Sequence, residues 1–370
     1  MKLATPPAQL KHPEKRPGSK SSRRLLPAPL IFALLGAGVL MALLLGVSFG
    51  STTISFATIV QIVLNGSGLT HFTAQWDPTL EVIIWRVRMP IVVGAALVGA
   101  ALGVAGTLFQ GLLRNPLADP FLMGTSAGAA LGAAITFILP IDVLFGSLFS
   151  LTPLLAFVGA LLSVLLVYSI ASTGGRTPIV TLLLAGVVVN AVLVAFQTLL
   201  LTLSQRAQFG ITALFNWLSG GVIVTDWPPV LIVGAIILVG SALAFSFAGS
   251  LDALALGEEG AAHLGLNVER SKFVIIIVAS LVTAAAVSIS GLIGFVGLVT
   301  PHMMRLLLGP RHRLLLPASA LGGAIFLMLA DLLARVIIAP AVLPVGSVTA
   351  LVGAPFFLYL LKKNKREYTW

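Results

Sequence analysis

Apolar residues along this chain come in unbroken runs, not in the one-sided pattern of a soluble helix. Residues 25–47 carry almost no polar side chain. Similar runs follow at about 85–113, around Gly124, Gly128 and Gly132, then at 153–172, 179–203, just before residue 249, and at 273–289, 291–305, 314–338 and 345–361. A helix rises 1.5 Å per residue, so crossing a hydrocarbon layer of about 30 Å takes roughly 20 apolar residues. The pattern predicts about ten transmembrane helices in an all-α polytopic membrane protein. The first run is too long for a signal-peptide core and no small-residue cleavage site closes it, so it reads as an uncleaved span.

Polar positions fill the gaps between runs. Ser55 is placed to N-cap a short amphipathic segment, FATIVQIVL, ahead of an Asn-Gly-Ser-Gly break, which predicts a helix lying along the far membrane face. The second span opens at Trp85-Arg86-Val87-Arg88-Met89-Pro90, with Pro90 expected in its first turn. Gly99 and Gly103, and again Gly124, Gly128 and Gly132, make small-xxx-small faces on which helix backbones can approach closely in lipid. Asn115 to Pro120 and Gly174 to Pro178 are turns, residues 204–229 return outside with Trp217 and Trp227 as interfacial anchors, and Pro301 should kink the eighth span.

The longest polar interruption is residues 249–272, GSLDALALGEEGAAHLGLNVERSK. Its apolar positions fall at helical spacing and are broken at Gly257 and at Gly265 with Asn267, which predicts two short amphipathic helices joined by a bend. Unpaired polar groups in hydrocarbon cost several kcal/mol each, so this stretch must lie at a membrane face. Two readings follow, a solvated loop or a docking surface for a partner. The paired apolar faces favour the second.

Composition agrees with the pattern: 58% of residues are hydrophobic, 9% are charged and none of the 370 is cysteine, which excludes disulfides and cysteine metal sites. The net charge of +10 does not imply nucleic acid, because the basic residues sit in short segments beside the apolar runs. With ten spans and both termini inside, 18 of the 22 Lys and Arg fall on the inner face, which makes residues 1–24 a disordered basic cytoplasmic tail, 362–370 a second tail, and the stretch at 249–272 cytoplasmic. Only Arg86, Arg88, Arg206 and Arg335 fall outside.

Catalytic chemistry is absent from the motifs. There is no P-loop, no H-E-x-x-H, no cofactor motif, and the five histidines are scattered. Asp331 is the one acid inside a span and lies one turn from Arg335, the spacing of an ion pair. Asn190 and Gln197 are polar among the apolar residues of the fifth span and either bond a neighbouring helix or line a translocation path. A stand-alone secondary carrier or channel is a second reading, although a secondary transporter would be expected to carry more intramembrane ionisable groups; a membrane enzyme is a distant third.

Four segments then carry a resemblance: GTLFQGLLRNPLADPFLMGTSAGAALG, LALGEEGAAHLGLN, GLIGFVGLVTPHMMRLLLGPRHRLLLPASALGGAIFLMLADLLAR and LPVGSVTALVGAPFFLYLL, in that order. They are similar to the permease subunits of bacterial ABC importers for iron-siderophores, haem and vitamin B12. The resemblance implies a type II importer permease of residues 25–361, with spans two to five and seven to ten as inverted halves, in the bacterial inner membrane. It implies three partners: a separate ATPase subunit, a substrate-binding protein and a second permease copy. No cofactor is implied and no enzymatic activity in this chain. Residues 251–268 would be the coupling helices gripped by the ATPase, with Leu254, Gly257, Glu258, Glu259, Ala261, Leu264, Gly265 and Asn267 as the coupling set. Arg88 and Arg335, with Arg86 near them, would meet carboxylates of the binding protein. Many members carry a second arginine where this chain has Ile91.

Overall fold

The computed structural model describes residues 27–50, 53–68, 72–73, 76–138, 151–203 and 207–363. The expected basic tail at 1–24, Arg206 and the chain beyond 363 lie outside the described residues. Within them no strand forms, and the one β-bridge joins Thr173 to Arg176 in a turn.

The elements follow the apolar runs. They are α1 (Ala28–Ser48), α2 (Phe56–Gly66), α3 (Pro78–Val82), a π turn (Ile83–Arg88), α4 (Met89–Leu112), a 3₁₀ turn (Pro120–Met123), α5 (Thr125–Ile138), α6 (Leu151–Ala171), α7 (Ile179–Leu203), α8 (Ala207–Leu218), α9 (Trp227–Ser246), α10 (Ala248–Leu254), α11 (Glu258–His263), α12 (Val268–Ser290), α13 (Val296–Leu308), α14 (His312–Val336) and α15 (Val345–Lys363). Among the described residues seven helices are long and apolar enough to span a membrane, and α5, α13 and α15 add three shorter apolar ones at the expected third, eighth and tenth positions.

The amphipathic segment forms α2 as predicted: the Ser55 side chain accepts from Thr58 N–H, and Ile59 and Ile62 face inward. The second span differs from expectation. It begins at Pro78 and runs unbroken to Leu112, so Pro90 stands well inside the continuous helix. The π turn explains the tolerance. Met89 N–H reaches back to the Ile84 carbonyl, and the widened turn eases the clash a proline ring makes with the turn before it. Residues 207–218, expected to be loop, form α8, and Trp217 is buried in a core cluster with Ala129, Ala133 and Leu214 rather than anchored at an interface. Trp227 opens α9, which Asp226 N-caps, and donates its indole N–H to the Trp85 carbonyl at 2.7 Å.

α4 and α12 are buried on nearly all sides, whereas α1 and α7 expose most of theirs. Glycine permits this centre. A side chain at Gly99 would strike the Gly323 carbonyl of α14, and one at Gly323 would strike that of Gly99; Gly103 meets Ser319, and Gly106 meets Gly297 of α13. Gly128 and Gly132 of α5 stand against Gly159 and Leu155 of α6 in the same way. α4 thereby joins the first half of the spans to the last.

Three non-helical segments meet in one crossing. Gly221 N–H donates to the Ser290 carbonyl at 2.8 Å, Ile223 N–H to that of Ile289 at 2.9 Å, and Gly346 N–H to that of Gly220 at 3.3 Å. Gly220 and Gly291 both have positive φ, and side chains there would hit the carbonyls of Leu292 and Trp217. The crossing satisfies backbone groups that lipid could not.

Candidate functional site: two poles of one bundle

The two ends of α4 define two poles. At the first, Arg88 is only 5% exposed. Its Nη1 donates to the carbonyls of Val47 at 2.7 Å and Ser48 at 3.0 Å, and Arg335 Nη1 and Nη2 both donate to the Gly46 carbonyl at 3.2 Å. These are among the last carbonyls of α1, which have no partner within their own helix and carry the negative end of its dipole. Two arginines from distant parts of the chain therefore cap one helix. Arg335 also forms the i, i+4 pair with Asp331, with Nη2 2.7 Å and Nε 3.0 Å from Oδ2, and Asp331 is 4% exposed. Both line a cavity of about 480 Å³ with Ile91, Asn216 and the Gly220-Gly221 crossing.

At the opposite end of α4, Gly111 packs against His312 and Leu251. Asp252 of α10 accepts the backbone N–H of His312 at 3.0 Å, and its carboxylate lies 2.7 Å from Nδ1 of the same residue, so the first short helix of the central stretch caps α14. The second, α11, is held by Lys272. This lysine is 3% exposed. Its Nζ lies 2.7 Å from Glu269 and 3.2 Å from Glu258, and donates to the Thr177 carbonyl at 2.9 Å. Glu269 in turn accepts the Thr177 N–H at 3.0 Å. In the Asn115–Pro120 turn nearby, burial pushes the Asp119 carboxyl above its usual range, against the Phe121 N–H that it accepts.

Two large apolar side chains stand outside this framework. Leu256 is 70% exposed and Leu264 67%, on the same two-helix unit as exposed Glu259 and His263. Clusters of three or more side chains suited to a metal ion are absent among the described residues.

The FecCD transport family profile matches residues 38–363. The chain belongs to the FecCD transport family. The cobalamin import system permease protein BtuC of Halobacterium salinarum is 46% identical to it over 78% of this chain and 75% of that protein. The hemin transport system permease protein HmuU of Yersinia pestis is 39% identical over 80% and 89%, and the Fe(3+) dicitrate transport system permease protein FecD of Escherichia coli 41% over 76% and 86%. A solved metal-chelate type ABC transporter in an inward-facing conformation superimposes with a TM-score of 0.76 at 28% identity, over 91% of this chain and all of that one. The fold is that of an ABC transporter permease, all-α and polytopic.

Within this FecCD permease the expected coupling set divides by direction. Glu259 and Leu264 face outward. Leu254 and Ala261 are buried, and Glu258 turns toward Lys272. Gly257 and Gly265 supply positive φ at the two bends, while Asn267 N-caps α12 by accepting Arg270 N–H. Leu256 of the expected apolar face is the more exposed of the unit's two exposed leucines, and the roles of Lys272, Asp252 and His312 had no sequence signal beyond their types. Of the three arginines expected to meet a binding protein only Arg86 is exposed; the π turn sets it on the opposite side from Arg88. Asn190 and Gln197 lie seven residues apart on one stripe of α7, and Asn190 Oδ1 is buried without a protein partner.

Proposed function

We propose that this chain is the membrane permease of an ATP-driven importer that carries a metal chelate inward across the bacterial cytoplasmic membrane, with an iron-siderophore as cargo and haem or vitamin B12 as the alternatives. Both termini are cytoplasmic, and two copies form the path between them. The observation that carries this reading is the α10–α11 unit. Two leucines stand in water on a unit braced from behind by Asp252–His312 and Lys272–Glu258, a surface shaped for a partner and not for lipid. A separate ATPase docks there and supplies the energy. A substrate-binding protein meets the arginine pole, with exposed Arg86 and cavity-lining Arg335 presenting positive charge to its carboxylates. Alternating access then moves the cargo along a stripe that includes Asn190 and Gln197 of α7, as ATP binding draws the two docked ATPases together.

Reconstitution in liposomes tests the reading. Uptake of a labelled ferric siderophore should require the ATPase, ATP and the binding protein together. Robust gradient-driven uptake by this chain alone would instead make it a secondary carrier.

A further inference from the structure

Lys272 is an odd residue at its position. It lies in the second turn of α12, near the positive end of a helix dipole, where a cation gains nothing from its own helix. It is also almost fully buried, which costs a lysine several kcal/mol unless its charge is met. Both costs are offset by contacts from three separate segments: Glu258 at the start of α11, Glu269 in the first turn of α12, and the backbone of Thr177, two residues before α7 begins. Glu269 closes the ring by accepting Thr177 N–H, and Tyr168 of α6, whose ring is tilted against Phe273 with centroids 5.0 Å apart, lies within reach of the Thr177 hydroxyl.

The Thr173–Arg176 bridge makes the α6–α7 connection a tight turn, so a displacement of Thr177 passes directly to α7. α7 also exposes most of its surface and carries Asn190 and Gln197. We infer that Lys272 is a positioning residue that fastens the second coupling helix, α11, to the inner end of α7, so that force applied to α11 reaches the path helix through the Lys272–Thr177 contact. This rests on the reading of α10–α11 as the ATPase docking point. Glu258 accordingly acts from inside the unit, as a strut, and not by touching the ATPase.

The test uses Lys272→Met in the full chain, assembled with its ATPase and binding protein. The methionine keeps length and apolar stem, and both glutamates are partly exposed and can be rehydrated, so the fold should survive. Cargo moved per ATP hydrolysed should fall about tenfold while the ATPase still co-purifies, and Lys272→Arg should restore at least half of it. A purely structural role would lower expression and melting temperature without changing that ratio.

The absence of native cysteine allows a second readout on the permease alone. Spin labels at Ala262→Cys and Arg176→Cys, in labelled chain diluted with unlabelled, should give one narrow distance that broadens with Lys272→Met. Should Lys272→Met not fold, Glu258→Gln with Glu269→Gln serves, with the same expected results. An unbroadened distance, or a transport-to-ATP ratio within twofold of the unaltered chain, overturns the inference. If the ATPase fails to bind even the unaltered chain, the docking reading falls, and the label distances still decide whether the clamp exists.

Discussion

At the arginine pole, cations from the π turn before α4 and from α14 are held by the carbonyls that end α1 and by one buried acid. At the lysine pole, one cation is held by two carboxylates that remain partly in water. The difference is in what each arrangement leaves behind when a partner is removed. Carbonyls at a helix end and a buried aspartate have nowhere to turn, whereas a half-exposed glutamate swings into solvent. The arginine pole should therefore register substitutions as lost stability. The lysine pole should register them as lost communication.

The largest expected effect comes from Arg335→Leu, which strands Asp331 and frees the Gly46 carbonyl. It should lower stability by about 3 kcal/mol, seen as a fall in melting temperature in detergent, and adding Asp331→Leu should recover most of it. Arg88→Ala should cost less, about 1–3 kcal/mol, by removing the guanidinium donor of the Val47 carbonyl and one of two donors of the Ser48 carbonyl, which keeps the Ile54 N–H, and hydrogen exchange should rise first at the C-terminal turn of α1. Equal melting temperatures for Arg335→Leu and the unaltered protein would erase the contrast between the poles.

Across the bundle, Leu256→Ser with Leu264→Ser should leave stability within about 0.5 kcal/mol, because both side chains are already exposed. ATPase co-purification should nevertheless be lost. The smallest effect belongs to Glu259→Gln, an exposed charge braced by nothing described: transport and melting temperature should both stay near the unaltered values, about 0.5 kcal/mol at most. A strong transport defect in Glu259→Gln would show that the docking face recognises its partner through charge.

The spans were readable because twenty-residue apolar runs have one solution in lipid, and the glycine faces because spacing at four residues puts them on one side of a helix. Orientation was harder. Charge asymmetry assigned Arg88 to the outer end of its span, but the π turn that rotates it inward leaves no mark in the hydrophobic pattern, and the carbonyls it caps belong to every sequence alike. Similarly, the spacing that predicted α11 could not say which way Glu258 points, since a six-residue helix is oriented by whatever grips it, here a lysine fourteen positions later. The α8 helix escaped notice because its twelve residues are too few for a span and were framed by turn-like polar residues.

The crossing of Gly220, Gly291 and Gly346 also sets an order of assembly. Gly220 leaves the ribosome some 125 residues before Gly346, a delay of roughly ten seconds at ~5–20 residues per second, and until then its carbonyl has no Gly346 N–H to accept. During that interval the Gly220 end of the first half stays unlatched while its helices are already in the bilayer. The final helix is thus the bolt of the structure, and a nascent chain stopped before residue 345 should be an open bundle cleared by membrane proteases, measurable as a short pulse-chase half-life beside that of the complete chain.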